Sequence, residues 1–176
     1  MNPLKQKLLN YLNHRVNSRN NAAHNNISFR EARDFGVVFT WEGDAKYEQV
    51  RGLIKALEIY GKNIHLLCYK ENKKDRLPPD IPVFMDRDVS VLGKVRSRIL
   101  GEFLSKPFDF ILHLDLRQNI MVQYILSRTH SKCRIGKTDM DFREFYEMMI
   151  QPAEENNFKD YCDQLIHYTK SIVTYA

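Results

Sequence analysis

Three short runs in this chain carry side chains able to bind a ligand or move a proton. They are Glu42-Gly43-Asp44, Asp86-Arg87-Asp88, and Asp115 with Arg117-Gln118-Asn119. Each follows an apolar, β-branched run that reads as a strand. Carboxylates serve as general bases or cation ligands, and a guanidinium pairs with phosphate or carboxylate. In open parallel sheets ligands bind outside the carboxyl ends of the strands, where all three runs would stand. Gly43, Asp115, Arg117, Gln118 and Asn119 are therefore the candidate ligand-binding residues. The same residues also suit ordinary solvated loops, since strand-end loops are polar in most α/β proteins.

Other chemistry has less support. His113 and Asp115 lie two apart on one strand and share a face, as an acid–base pair would. A histidine within an apolar strand is more often a satisfied core residue, and His65 is read the same way. Neither G-x-G-x-x-G nor G-x-x-x-x-G-K-[ST] occurs, and Gly43 alone cannot present a row of backbone N–H groups to a phosphate. No cofactor is expected. No G-x-S-x-G elbow or H-E-x-x-H helix is present. Cys162 and His167 are five apart, which is not one helix face. Cys68, Cys133 and Cys162 are odd in number and widely spaced, so inert buried thiols are expected, not a disulfide framework or a metal site.

The elements that must position these residues follow from the apolar pattern. FGVVFTW (35–41), NIHLLCY (63–69), IPVFM (81–85), DFILHLD (109–115), CRIG (133–136) and FYEMMI (145–150) read as strands. Helices are expected over 3–17, from Tyr47 to the Gly61 stop, around Val95 to Phe103, around Ile120 to Ile125, and from Pro152 onward through Phe158, Tyr161 and Leu165. Ser28 and Glu31 fit a capping box that would open another short helix. Alternation of strands and helices implies an α/β fold, a three-layer sandwich with a mostly parallel, Rossmann-like sheet. Strand order cannot be read from one sequence.

The 176 residues, 43% hydrophobic, suffice for one packed domain, residues 28–176. Residues 1–27 form a basic helix and an asparagine-rich linker, Asn17 to Asn26. No apolar run is long enough for a membrane span or a secretory signal, which implies a cytoplasmic location. Residues 1–34 hold six Lys/Arg against two acids, most of the net charge of +5. That helix reads first as a solvated basic face, with contact to nucleic acid, an anionic membrane or an acidic partner as alternatives. Its apolar positions Leu4, Leu8, Tyr11 and Leu12 need cover, because so short a helix is marginal in water. A homodimer contact is expected there, with packing on its own domain as the alternative.

Two resemblances bear on identity. Gly43-Asp44 after the first strand, FDFILHLD at 108–115 and Arg134-Ile135-Gly136 resemble the N-terminal half of the ADP-heptose:lipopolysaccharide heptosyltransferases. The likeness covers about 100 residues and implies a Rossmann-like half domain. It also implies Asp44 as a catalytic base near a sugar acceptor. The proline usual after Gly-Asp is missing, and so is the second half domain that holds most of the donor site. The whole chain, from basic helix through ILHLDL and RIG to QLIHY, is similar to a family of short bacterial proteins of unknown function. Together these imply a non-catalytic binding or assembly module with an unknown protein partner. A glycosyltransferase-like enzyme or sugar-nucleotide binder is the alternative.

Overall fold

β1, Asp34–Thr40, has no charged side chain after its first residue, and the other six are buried. Such a run is stable only where both sheet faces are covered. The computed structural model describes residues 1–20, 27–154 and 156–173. In it β1 pairs in parallel with β2, Asn63–Tyr69, and with β4, Pro107–His113. β2 pairs with the two-residue β3, Val83–Phe84. β4 pairs with β5, His130–Lys137, and β5 with β6, Met148–Ile150. All pairs are parallel, and the order is β3-β2-β1-β4-β5-β6, the order of dinucleotide-binding folds.

Helices cover both faces. On one, Phe35, Val37 and Phe39 of β1 and Phe110 and Leu112 of β4 pack under α2, Asp44–Ile59, and α5, Phe158–Lys170. On the other, Val38, Leu67, Phe108 and Ile111 meet α3, Arg98–Leu104, α4, Ile120–Arg128, and α1, Pro3–Asn20. The three-layer α/β fold and the N-terminal helix are thus present.

Several element limits differ from expectation for local reasons. The sixth strand is shorter, because Met140–Phe145 form a 3-10 helix instead. α5 starts at Phe158, not Pro152, where Asn157 accepts from the Asp160 N–H at 3.0 Å. α3 starts at Arg98: Ser97 caps it, and Val95 pairs with Val89 in an antiparallel bridge. The Ser28–Glu31 box forms its bonds, Ser28 N–H to Glu31 Oε2 at 3.3 Å and Glu31 N–H to Ser28 Oγ at 3.4 Å, but closes only a turn.

α1 buries only part of the expected face, with Leu8 and Leu12 half-buried. Leu9, Asn13 and Asn17 are buried, while Leu4 and Tyr11 stay exposed. Its seam with α4 is polar. Asn13 donates to the Ile120 carbonyl at 3.1 Å and accepts from Arg128 at 2.7 Å. Asn17 donates to the Glu144 carbonyl at 2.7 Å and accepts from the buried Arg134 at 2.5 Å. Asn20 donates to the Thr129 carbonyl at 2.9 Å. Asn17 and Asn20 belong to the helix, not to the linker; the rest of that stretch, 21–26, lies outside the described residues.

Candidate ligand site at the strand-order switch

The chain leaves β1 toward β2 and leaves β4 toward β5, so the loops after these neighbouring strands part and open a crevice. A cavity of about 500 Å³ occupies it. Thr40, Trp41 and Glu42 line it from the end of β1, Tyr69 and Glu71 from the end of β2. Arg117 to Ile120 form the opposite wall, and Met1, which precedes α1, and Gln6 within it close one side. The volume suits a small molecule.

The β1–α2 turn depends on Gly43, whose φ of 104° and ψ of 174° are closed to residues with a side chain. The turn delivers Lys46 from the first turn of α2 to Asp115, which is 2% exposed. Lys46 Nζ donates to Asp115 Oδ1 at 2.5 Å and to Glu42 Oε1 at 2.9 Å. The Thr40 N–H donates to Oδ1 at 2.8 Å, and its hydroxyl to Oδ2 at 2.7 Å. His113 Nε2 lies 3.0 Å from Oδ2. Burial alone would raise the Asp115 carboxyl, but the hydrogen bond from His113, with the Lys46 ammonium beside it, holds it below the usual carboxylate range.

An ionised carboxylate only accepts, so His113 carries a proton on Nε2. Its Nδ1 lies 2.7 Å from the Tyr146 hydroxyl, which lies 3.1 Å from Gln118 Oε1. Two proton arrangements satisfy this row. With a neutral ring, Tyr146 donates to Nδ1 and a turned Gln118 amide donates to Tyr146; with a charged ring, Nδ1 donates and Tyr146 donates onward. Burial raises the Tyr146 phenol, which keeps it protonated in both. The row runs Glu42, Lys46, Asp115, His113, Tyr146, Gln118. Its two ends stand in the cavity wall, and Asp115, His113 and Tyr146 are buried beneath.

The candidate residues thus divide. Arg117, Gln118 and Asn119 line the cavity, and Asp115 supports it from below. Asn119 also caps α4 by accepting from the Met121 N–H at 2.8 Å. Gly43 shapes the turn, and Asp44 is exposed on the first turn of α2, outside the lining. Asp86 and Asp88 have structural partners, the Tyr69 hydroxyl at 2.6 Å and the Met85 N–H at 2.8 Å. Lys46, Tyr146 and Glu71 were missed. Lys46, four residues after Glu42, carried the one available signal, a helical ion-pair spacing. Among the described residues no three His, Cys, Asp or Glu side chains converge as a metal site.

The family model of DUF6913, a family of unknown function, matches residues 5–172. The chain belongs to DUF6913. No solved structure matches it. This membership brings no activity with it, and it lends no support to the heptosyltransferase likeness. No helix among the described residues is long and apolar enough to cross a membrane.

Proposed function

We propose that this DUF6913 chain is a non-catalytic module that binds one small polar ligand in the switch-point cavity. The observation that carries this is the row from Glu42 to Gln118: a buried hydrogen-bonded chain with both ends in the wall of one cavity. Buried polar networks are costly unless fully satisfied, and here the satisfied network fixes the cavity's polar groups in place. Arg117 has the chemistry to hold an anionic group, while Glu42 and Glu71 accept from hydroxyl or amine donors. A phosphorylated or carboxylated sugar or nucleoside meets those demands. The lone Gly43 weighs against a dinucleotide, whose pyrophosphate needs a glycine-rich turn.

Thermal-shift measurement against sugar phosphates, nucleoside monophosphates, sugar acids and amino acids tests this. A ligand at about 100 times its Kd stabilises by about 2.7 kcal/mol, roughly 5–11 °C for a chain of this length. That shift should appear for the wild type and shrink in Arg117→Ala. No shift with any compound, or one indifferent to Arg117, would overturn the proposal.

A further inference from the structure

The seating of α1 against the segment after β3 brings two basic segments together. Lys5 Nζ donates to the carbonyls of Asp86 and Val89. The loop at Gly93 approaches Leu9 and Leu12 of α1. Residues 1–20 contain four Lys/Arg and no acid, and residues 86–98 contain four Lys/Arg and two acids, Asp86 and Asp88. These adjoining segments together hold eight cations against two anions, a net of +6. The whole chain is +5, so all other residues together are −1.

Exposed apolar side chains stand on the same two segments. Val89 and Val95 bridge a small hairpin, in which Ser90 N–H donates to the Lys94 carbonyl at 2.9 Å and Gly93 N–H to the Ser90 carbonyl at 3.0 Å. Val91 and Leu92 are the corners of that turn, and Leu92 is 70% exposed. Turn corners ordinarily favour Gly, Pro, Asn, Asp or Ser. This tip is braced, because the Tyr124 hydroxyl donates to the Gly93 carbonyl at 2.9 Å. Leu4 and Tyr11 project from the outer side of α1, at 74% and 61% exposure. Lys7, Arg15, Lys94 and Arg96 on these two segments are exposed as well.

We infer that these two segments dock the protein on the surface of an anionic lipid bilayer, with the Val91–Leu92 tip and the outer side of α1 entering the headgroup layer. The combination of basic and apolar groups decides the partner. A lipid interface rewards both, whereas a nucleic acid backbone rewards the cations and gives Leu92 nothing. Gln6 of α1 also walls the cavity, so the docked face would border its mouth.

Sedimentation of the full chain with phosphatidylcholine vesicles, with and without phosphatidylglycerol, tests this. Binding should need the anionic lipid and should be lost at about 0.5 M salt. Leu92→Ser should weaken it on the order of tenfold, and Val91→Ser with Leu92→Ser further still. The melting temperature of these variants should not change, because both corners are exposed. Lys94→Gln should weaken binding about fivefold. Absence of binding to anionic vesicles, or binding indifferent to the two corners, would overturn the inference. So would salt-sensitive binding to a short DNA duplex stronger than to vesicles. A doubled mass in light scattering that falls to monomer in the corner variants would assign the face to a second copy instead.

Discussion

Replacing Asp115 by Asn should destabilise the fold severely, and replacing Lys46 by Met in the same chain should restore part of the loss. The Asp115 side chain is 1% exposed and that of Lys46 9%. The carboxamide introduced by Asp115→Asn would keep one acceptor oxygen and turn an NH2 group toward Thr40 Oγ1 or His113 Nε2, both donors to the native carboxylate. It would also leave the Lys46 ammonium without its buried counter-charge. Glu42 cannot substitute, since its side chain is 57% exposed. Breaking one side of a buried pair costs about 3–5 kcal/mol, whereas removing both partners is often close to neutral. At this length each kcal/mol moves the midpoint by roughly 2–4 °C, so Asp115→Asn should lower Tm by about 6–20 °C. Circular dichroism melts of wild type, both single variants and the double variant at pH 7 give the answer. A loss under about 2 °C for Asp115→Asn, or a Lys46→Met cost that simply adds to it, would refute the buried pair.

Gly136→Ala would drive a Cβ into Cε1 of the Tyr146 ring, which His113 and Gln118 hold by its hydroxyl. Urea denaturation should show a loss of about 1–3 kcal/mol, and a smaller increment in a Tyr146→Leu background. Burial pushes the Cys68, Cys133 and Cys162 thiols up to about 12. Native protein at pH 8 should therefore label slowly with maleimide and quickly once denatured, and fast native labelling would contradict this burial. The Asp115 and Asp109 carboxyls lie below their usual range: burial raises both, but His113 and Lys46 outweigh it at Asp115, and the backbone N–H groups of Arg33 and Asp34, with Lys132, at Asp109. A depressed carboxyl stabilises above its unfolded pKa and loses that contribution as pH falls through the folded value. The urea midpoint should hold from about pH 7 to 5 and fall below about pH 4, more shallowly in Asp115→Asn.

The strands were legible because near-continuous apolar runs suit strands covered on both faces of a parallel sheet. Residues 63–69 coincide with β2, and DFILHLD differs from β4 by two residues. The strand order was not legible, since it depends on which edges meet and not on any local pattern. The inner face of α1 was only partly legible, for a chemical reason. Counting apolar residues picked out Leu4, Leu8, Tyr11 and Leu12, of which Leu8 and Leu12 are half-buried, but the fully buried seam includes Asn13 and Asn17, whose amides reach carbonyls and arginines more than a hundred residues away. At the site, polar residues after strands pointed to Arg117 to Asn119, which stand in the wall of the cavity. His113 was read as a satisfied core residue; it is buried, yet it also links Asp115 to Tyr146. Tyr146 lay in a presumed strand, and a long-range hydrogen bond leaves no mark in spacing.

The asparagine seam also orders events in time. Asn13 must wait for Ile120 and Asn17 for Glu144, separations of 107 and 127 residues. At about 5–20 residues per second, a ribosome needs roughly 6–25 s to make the intervening chain. Throughout that interval α1 has neither its carbonyl acceptors nor the guanidinium groups of Arg128 and Arg134. An isolated helix of this length is marginal in water, so the earliest of these segments to be synthesised is among the last to acquire its final conformation.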